Sequence, residues 1–130
     1  MRSLSQLLLL SVTLVILTAC SATVPLEKVY GDYIASYRYG TETISLNRDG
    51  TFVQRVEIDR ESPASAGGSW EFDSKDSRVT LHGALIVDDG FGGLRGGWRT
   101  PTTGLVSFDV ELHWFRVEMG TGLPNPYLKQ

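Results

Sequence analysis

In the stretch LVSFDVELHWFRVEM (Leu105–Met119), apolar side chains recur at every second position. Val106, Phe108, Val110, Leu112 and Trp114 alternate with Ser107, Asp109, Glu111 and His113, and the apolar phase then passes to Phe115, Val117 and Met119. Successive side chains of an extended chain point to opposite faces, so this pattern gives a β-strand with one apolar and one polar face; a helix would scatter the same residues around its axis. The one-residue change of phase near Trp114-Phe115 predicts a β-bulge, where an extra residue shifts the alternation.

The same period runs through the rest of the chain. In TETISLNRDGTFVQRVEI, Ile44 and Leu46 point one way and Phe52, Val56 and Ile58 then share a face, with Gln54 interrupting the apolar run. Asp49-Gly50 between the two halves predicts a type I′ hairpin, because both central residues of that turn need positive φ. Upstream, GDYIASYRYG sets Tyr33, Ala35 and Tyr37 in alternation as a first strand. Pro63 to Gly68 reads as a loop, GSWEFD as a short strand with Trp70 and Phe72 on one side, and Ser74 to Ser77 as a turn. RVTLHGALIV then places Val79, Leu81, Leu85 and Val87 inward, with Thr80 and His82 outward. The tail GTGLPNPYLKQ, punctuated by Pro and Gly, reads as packing Tyr127 and Leu128 loosely or fraying. No sustained helical period and no repeat follows Cys20. Six to eight short strands with near-neighbour connections predict an all-β fold, an antiparallel meander forming a small barrel or a two-sheet sandwich.

The N-terminal segment obeys another rule. Leu7 to Ala19 is almost wholly apolar and follows Arg2, but at about 13 residues it is shorter than the ~20 that span a bilayer as a helix. It reads as the hydrophobic region of a secretion signal. It ends in Leu17-Thr18-Ala19-Cys20, and Cys20 is the only cysteine of the 130 residues. This tetrapeptide resembles the lipobox of bacterial lipoproteins. The resemblance implies cleavage before Cys20, diacylglycerol on its thiol and usually an acyl chain on the new amine. It also implies, from Ser21 rather than Asp after the cysteine, sorting to the outer membrane. Two or three acyl chains hold far more firmly than the single chain that binds reversibly. The expected organisation is a signal peptide over 1–19, a lipidated Cys20 with a tether over 20–29, and one β-domain over 30–130.

The order GDY at a first strand, LNRDGTF at a hairpin and GSW at a further strand is similar to that of small bacterial envelope lipoproteins with lipocalin-like or calycin-like β-meanders. The shared residues, Gly31, Tyr33, Asp49, Gly50, Phe52, Gly68 and Trp70, serve turns and core. They carry over no catalytic group. The paired cysteines of copper-responsive and lysozyme-inhibitor lipoproteins are missing from this chain.

Charge and motifs narrow the function further. Arg2 is the one charged residue of 1–19, so its removal takes the net charge from −3 to −4. A mildly acidic domain without a basic stripe has no footprint for nucleic acid and no polybasic patch for anionic headgroups. No Gly-x-Ser-x-Gly elbow is present, the cysteine is used by the anchor, and no serine sits beside an evident base. Asp88-Asp89-Gly90 lacks the other oxygen ligands of a calcium loop, and carboxylate pairs such as Asp59 with Glu61 are ordinary loop features. Asp109, Glu111 and His113 are weak metal candidates on one strand face, set against a solvated face that merely completes the alternation. They match no zinc spacing, and His82, the only other histidine, would strengthen the metal case if it paired beside His113. No cofactor is expected.

The long connection from Asp88 to Gly104, rich in glycine, carries Phe91, Leu94, Arg95, Trp98 and Arg99, the residue types that dominate binding hot spots. It either plugs one end of the barrel or presents a recognition surface. The expected protein is a non-enzymatic lipoprotein, anchored to the membrane by lipid at the bacterial envelope, binding a small apolar ligand or an envelope protein. The alternative is a structural or accessory subunit of an envelope complex, its barrel filled with side chains. An apolar cavity would separate the two.

Overall fold

A computed structural model describes residues 23–38, 40–87 and 102–130. Among these a short helix, α1 (Leu26–Val29), precedes eight strands: β1 (Gly31–Tyr37), β2 (Gly40–Leu46), β3 (Thr51–Ile58), β4 (Ala64–Asp73), β5 (Arg78–Leu85), β6 (Thr103–His113), β7 (Arg116–Met119) and β8 (Tyr127–Lys129). Each strand pairs antiparallel with the next, and β8 returns to β1 through Tyr33↔Lys129 and Ile34↔Leu128, closing a barrel. The fold is all-β, and of the two predicted architectures it is the barrel, of lipocalin-like meander type.

The meander fixes two ends. One, called here the upper end, carries the β1–β2, β3–β4, β5–β6 and β7–β8 connections; the lower end carries α1, the β2–β3, β4–β5 and β6–β7 turns and the C-terminus. The interior between them is packed by Tyr33, Ile44, Phe52, Leu81 and Met119, all essentially solvent-free. α1 seals the lower end. Val24 and Val29 are buried, Tyr33 Oη donates to the Val29 carbonyl at 2.5 Å, and Tyr30 meets Trp70 edge to face at 5.5 Å. Trp70 Nε1 donates to the Asn47 carbonyl at 2.8 Å, so the polar edge of the indole is satisfied where it is buried. Since Val24 already belongs to the core, the domain begins earlier than the tether expected over 20–29 allows.

Four sequence expectations are corrected. The phase change at Trp114-Phe115 is a two-residue turn between β6 and β7, with His113 paired to Arg116, and not a bulge. A bulge and a two-residue turn both displace the alternation by one, and His-Trp-Phe-Arg contains none of the Gly, Asn or Asp that announce such a turn. Trp114 accordingly takes φ of +57°. The bulge lies in β5, where the β5–β6 register shifts between His82 and Ala84 around Gly83 at φ +91°.

The Asp49-Gly50 hairpin forms, but only Gly50 has positive φ (+84°), and Gly50 N–H donates to the Asn47 carbonyl. That is a type I turn closed by a left-handed glycine. Thr51 bonds Asp49 Oδ1 through both its amide and its hydroxyl, holding that carboxyl below its usual range. Residues 64–68, expected as loop, extend β4, since Gly68 lets the β4 and β5 backbones approach until a Cβ would strike the His82 carbonyl. The tail does not fray: Tyr127–Lys129 is the closing strand and Tyr127 is buried.

Candidate functional site

Period two assigns Tyr37, Glu42, Gln54 and Tyr127 to inward positions of β1, β2, β3 and β8, the same faces as Tyr33, Ile44 and Phe52. Glu42 and Gln54 are each only 1% exposed, so a carboxyl group and an amide lie inside an otherwise apolar barrel. Burying such groups is tolerable only when their hydrogen bonds are met. Gln54 Nε2 donates to Glu42 Oε1 at 2.5 Å and to the Leu85 carbonyl at 3.1 Å, and Gln54 Oε1 accepts the Leu85 amide at 2.6 Å. Glu42 Oε2 accepts from Tyr37 Oη at 2.9 Å and from Tyr127 Oη at 2.8 Å. The network thus joins five strands, with Gln54 standing in for ladder bonds that β5 loses beyond its bulge. Burial, and then the adjacent Glu42, push the Tyr127 phenol far above its ordinary range, so it remains a donor. Burial does the same to Tyr33.

Above this floor is a cavity of about 410 Å³ between β5, β6 and the β7–β8 connection. Ala84, Leu85, Val106, Phe108 and Leu123 give it apolar walls, while Gln54 and Tyr127 are its polar base. Phe108 meets Tyr127 edge to face at 4.9 Å, which fixes one wall against the base. Ile86 and Val87 stand on its rim, where the β5–β6 connection departs, and Ile86 N–H donates to the Thr102 carbonyl across the base of that connection. Phe91, Leu94, Arg95, Trp98 and Arg99 belong to this connection and lie outside the described residues, as do Asp88, Asp89 and Cys20.

The weak metal candidates do not converge. Asp109 is held by Arg78 at 3.0 and 3.1 Å, whereas Glu111 bonds His113 Nε2 at 2.8 Å through one oxygen and the Thr121 hydroxyl at 3.2 Å through the other. His82 of β5 sits beside Glu71 of β4 and pairs in register with Leu105, eight positions before His113, or about 26 Å along the strand. No group of three metal-binding side chains is present among the described residues. The buried Glu42–Gln54 pair was passed over in sequence because a polar residue on a strand is ordinarily an outward one. The available signal was parity, since both occupy positions that the apolar alternation assigns to the core.

No protein-family model, no curated protein and no solved structure matches this chain.

Proposed function

We propose that this protein is a non-enzymatic, lipid-anchored binding protein of the bacterial envelope, attached through Cys20 to the outer membrane and taking a small apolar or amphipathic ligand in its upper cavity. The observation that carries the reading is the cavity itself. The barrel is filled through its middle and lower end, yet about 410 Å³ remains at the upper end. That falls in the lower part of the ~300–1,000 Å³ range of small-molecule sites, and apolar walls over a few fixed polar groups are their usual make-up. The walls would take the apolar body of the ligand and the Tyr127–Gln54 base would orient its polar end. The connection bearing Phe91, Leu94, Arg95, Trp98 and Arg99 leaves from the rim, which favours its role in recognition.

A thermal-shift panel of fatty acids, peptidoglycan fragments and small envelope metabolites tests the reading. Ligand at 100 times its dissociation constant should stabilise the fold by about 2.7 kcal/mol. Val106→Trp, which fills the cavity, should abolish the shift without unfolding the barrel. The side chains packed through the barrel's middle and lower end favour the second reading, an accessory subunit of an envelope complex. Silence across the panel, with a protein recovered by in-cell crosslinking, would decide for it. Acylated Cys20 at the N-terminus of the membrane-extracted protein, read by mass spectrometry, tests the anchor independently.

A further inference from the structure

The β6–β7 turn exposes two large aromatic side chains, Trp114 at 92% and Phe115 at 98% of their surface. Two adjacent aromatics held wholly in water by a tight turn are costly to solubility. Trp114 also occupies the left-handed region (φ +57°), where a bulky residue is strained and a glycine would not be. Neither feature helps the barrel: neither side chain reaches the core.

The turn belongs to the lower end, where the N-terminal segment enters. Val24, four residues after Cys20, is already in the core, so an extended connection spans only about 14 Å. Whatever holds Cys20 or the apolar run Leu7–Ala19 therefore holds this end. Although the sequence shows no basic run, the fold gathers Lys28, Arg116 and Lys129 from α1, β7 and β8 into one surface depression with Phe115, and Lys129 Nζ is fixed to the Lys28 carbonyl at 2.6 Å. Leu26 and Leu112, at 42% and 37% exposure, lie on the same end. An amphipathic aromatic flanked by cations is the arrangement that sits at a bilayer–water interface, the ring among glycerol and acyl groups and the charges at phosphate level.

We propose that the lower end of the barrel docks on the lipid bilayer surface, with Trp114 and Phe115 inserted into the interface and Lys28, Arg116 and Lys129 against the lipid phosphates. This rests on the anchored reading, in that the N-terminal segment brings the bilayer to this end. The barrel's upper cavity then opens away from the membrane, with its base at Tyr127 two residues, or about 7 Å along β8, from Lys129 at the docked face. The ligand is met from the aqueous side.

The test uses the full chain, extracted from its host membrane and reconstituted into phosphatidylethanolamine–phosphatidylglycerol vesicles, in a Trp98→Phe background that leaves Trp70 and Trp114. Lipids brominated near the headgroup should quench about half of the emission, and lipids brominated near the bilayer centre much less. Adding Trp114→Phe should remove the quenching and leave the thermal midpoint unchanged. Chain that floats with the vesicles while Trp114 is unquenched overturns the docking and leaves the anchor standing. Chain that does not float, with Cys20 unacylated by mass spectrometry, overturns both.

Discussion

Gln54 makes three hydrogen bonds inside the barrel. It spans β3 and β5 with both ends of its amide while holding one oxygen of Glu42. Gln54→Ala would leave the Leu85 amide and carbonyl without these partners and open space below the cavity; a loss of about 2–4 kcal/mol is expected, measured from the urea midpoint. A loss under about 0.5 kcal/mol would mean that water replaces the amide. The two buried tyrosines give a pH signature. Their phenols stay protonated in the fold beyond the pH at which unfolded tyrosine ionises, near 10, so above that pH the unfolded chain holds fewer protons than the native one and stability falls. Stability from these groups is complete below about pH 10. Above it, each should subtract about 1.4 kcal/mol per pH unit, and Tyr127→Phe should halve the combined slope in denaturant titrations. At this scale the sequence was half legible: Gln54 announced itself by interrupting an apolar run, whereas Glu42 shares its face with Ile44 and Leu46 but carries no mark of its partner. That partner depends on a strand register no local pattern encodes.

At the scale of elements, strands are legible wherever apolar residues alternate, and their junctions where glycine, asparagine or a short polar run such as Ser74–Ser77 marks them. Asn47 to Gly50 forms the expected hairpin because Gly50 can take positive φ, although the turn type differs. The Trp114-Phe115 turn was read as a bulge because its residues carry no turn chemistry. Conversely, the bulge at Gly83 hid inside RVTLHGALIV, where a single glycine looks like a weak spot in a strand. That glycine turns β5 so that Ala84 and Leu85 are both buried and the Leu85 backbone faces Gln54. Gly83→Ala would put a side chain into a conformation L-residues resist and should cost about 1–2 kcal/mol. For a domain of this size that lowers the thermal midpoint by roughly 4–16 °C. Gly122→Ala is the matched control, since a Cβ there meets nothing within 4 Å and φ is not in the left-handed region. It should leave the midpoint unchanged or raise it slightly.

For the molecule as a whole, closure depends on its last few residues. β8 is three residues long, yet it pairs with β7 through Glu118↔Leu128 and Met119↔Tyr127 and with β1 through Tyr33↔Lys129 and Ile34↔Leu128. Nothing in PNPYLKQ announced this, because a three-residue strand shows too little alternation to register; only the geometry of a sheet coiling back on itself requires it. The same strand carries Tyr127 to Glu42 and to the base of the cavity, so closing the barrel and completing the candidate site are one event. Truncation before Pro126 should therefore do two things at once. It exposes the hydrogen-bonding edges of β1 and β7, which invite pairing between copies, and it takes Tyr127 from the polar base that would orient a ligand. Size-exclusion chromatography of the truncated chain should show concentration-dependent oligomers where the intact chain elutes as a monomer, and any ligand that shifts the intact protein should have no effect. A truncated chain that stays monomeric with its midpoint intact would mean that β1 and β7 can close the barrel by themselves, and that the C-terminal strand is dispensable to both fold and site.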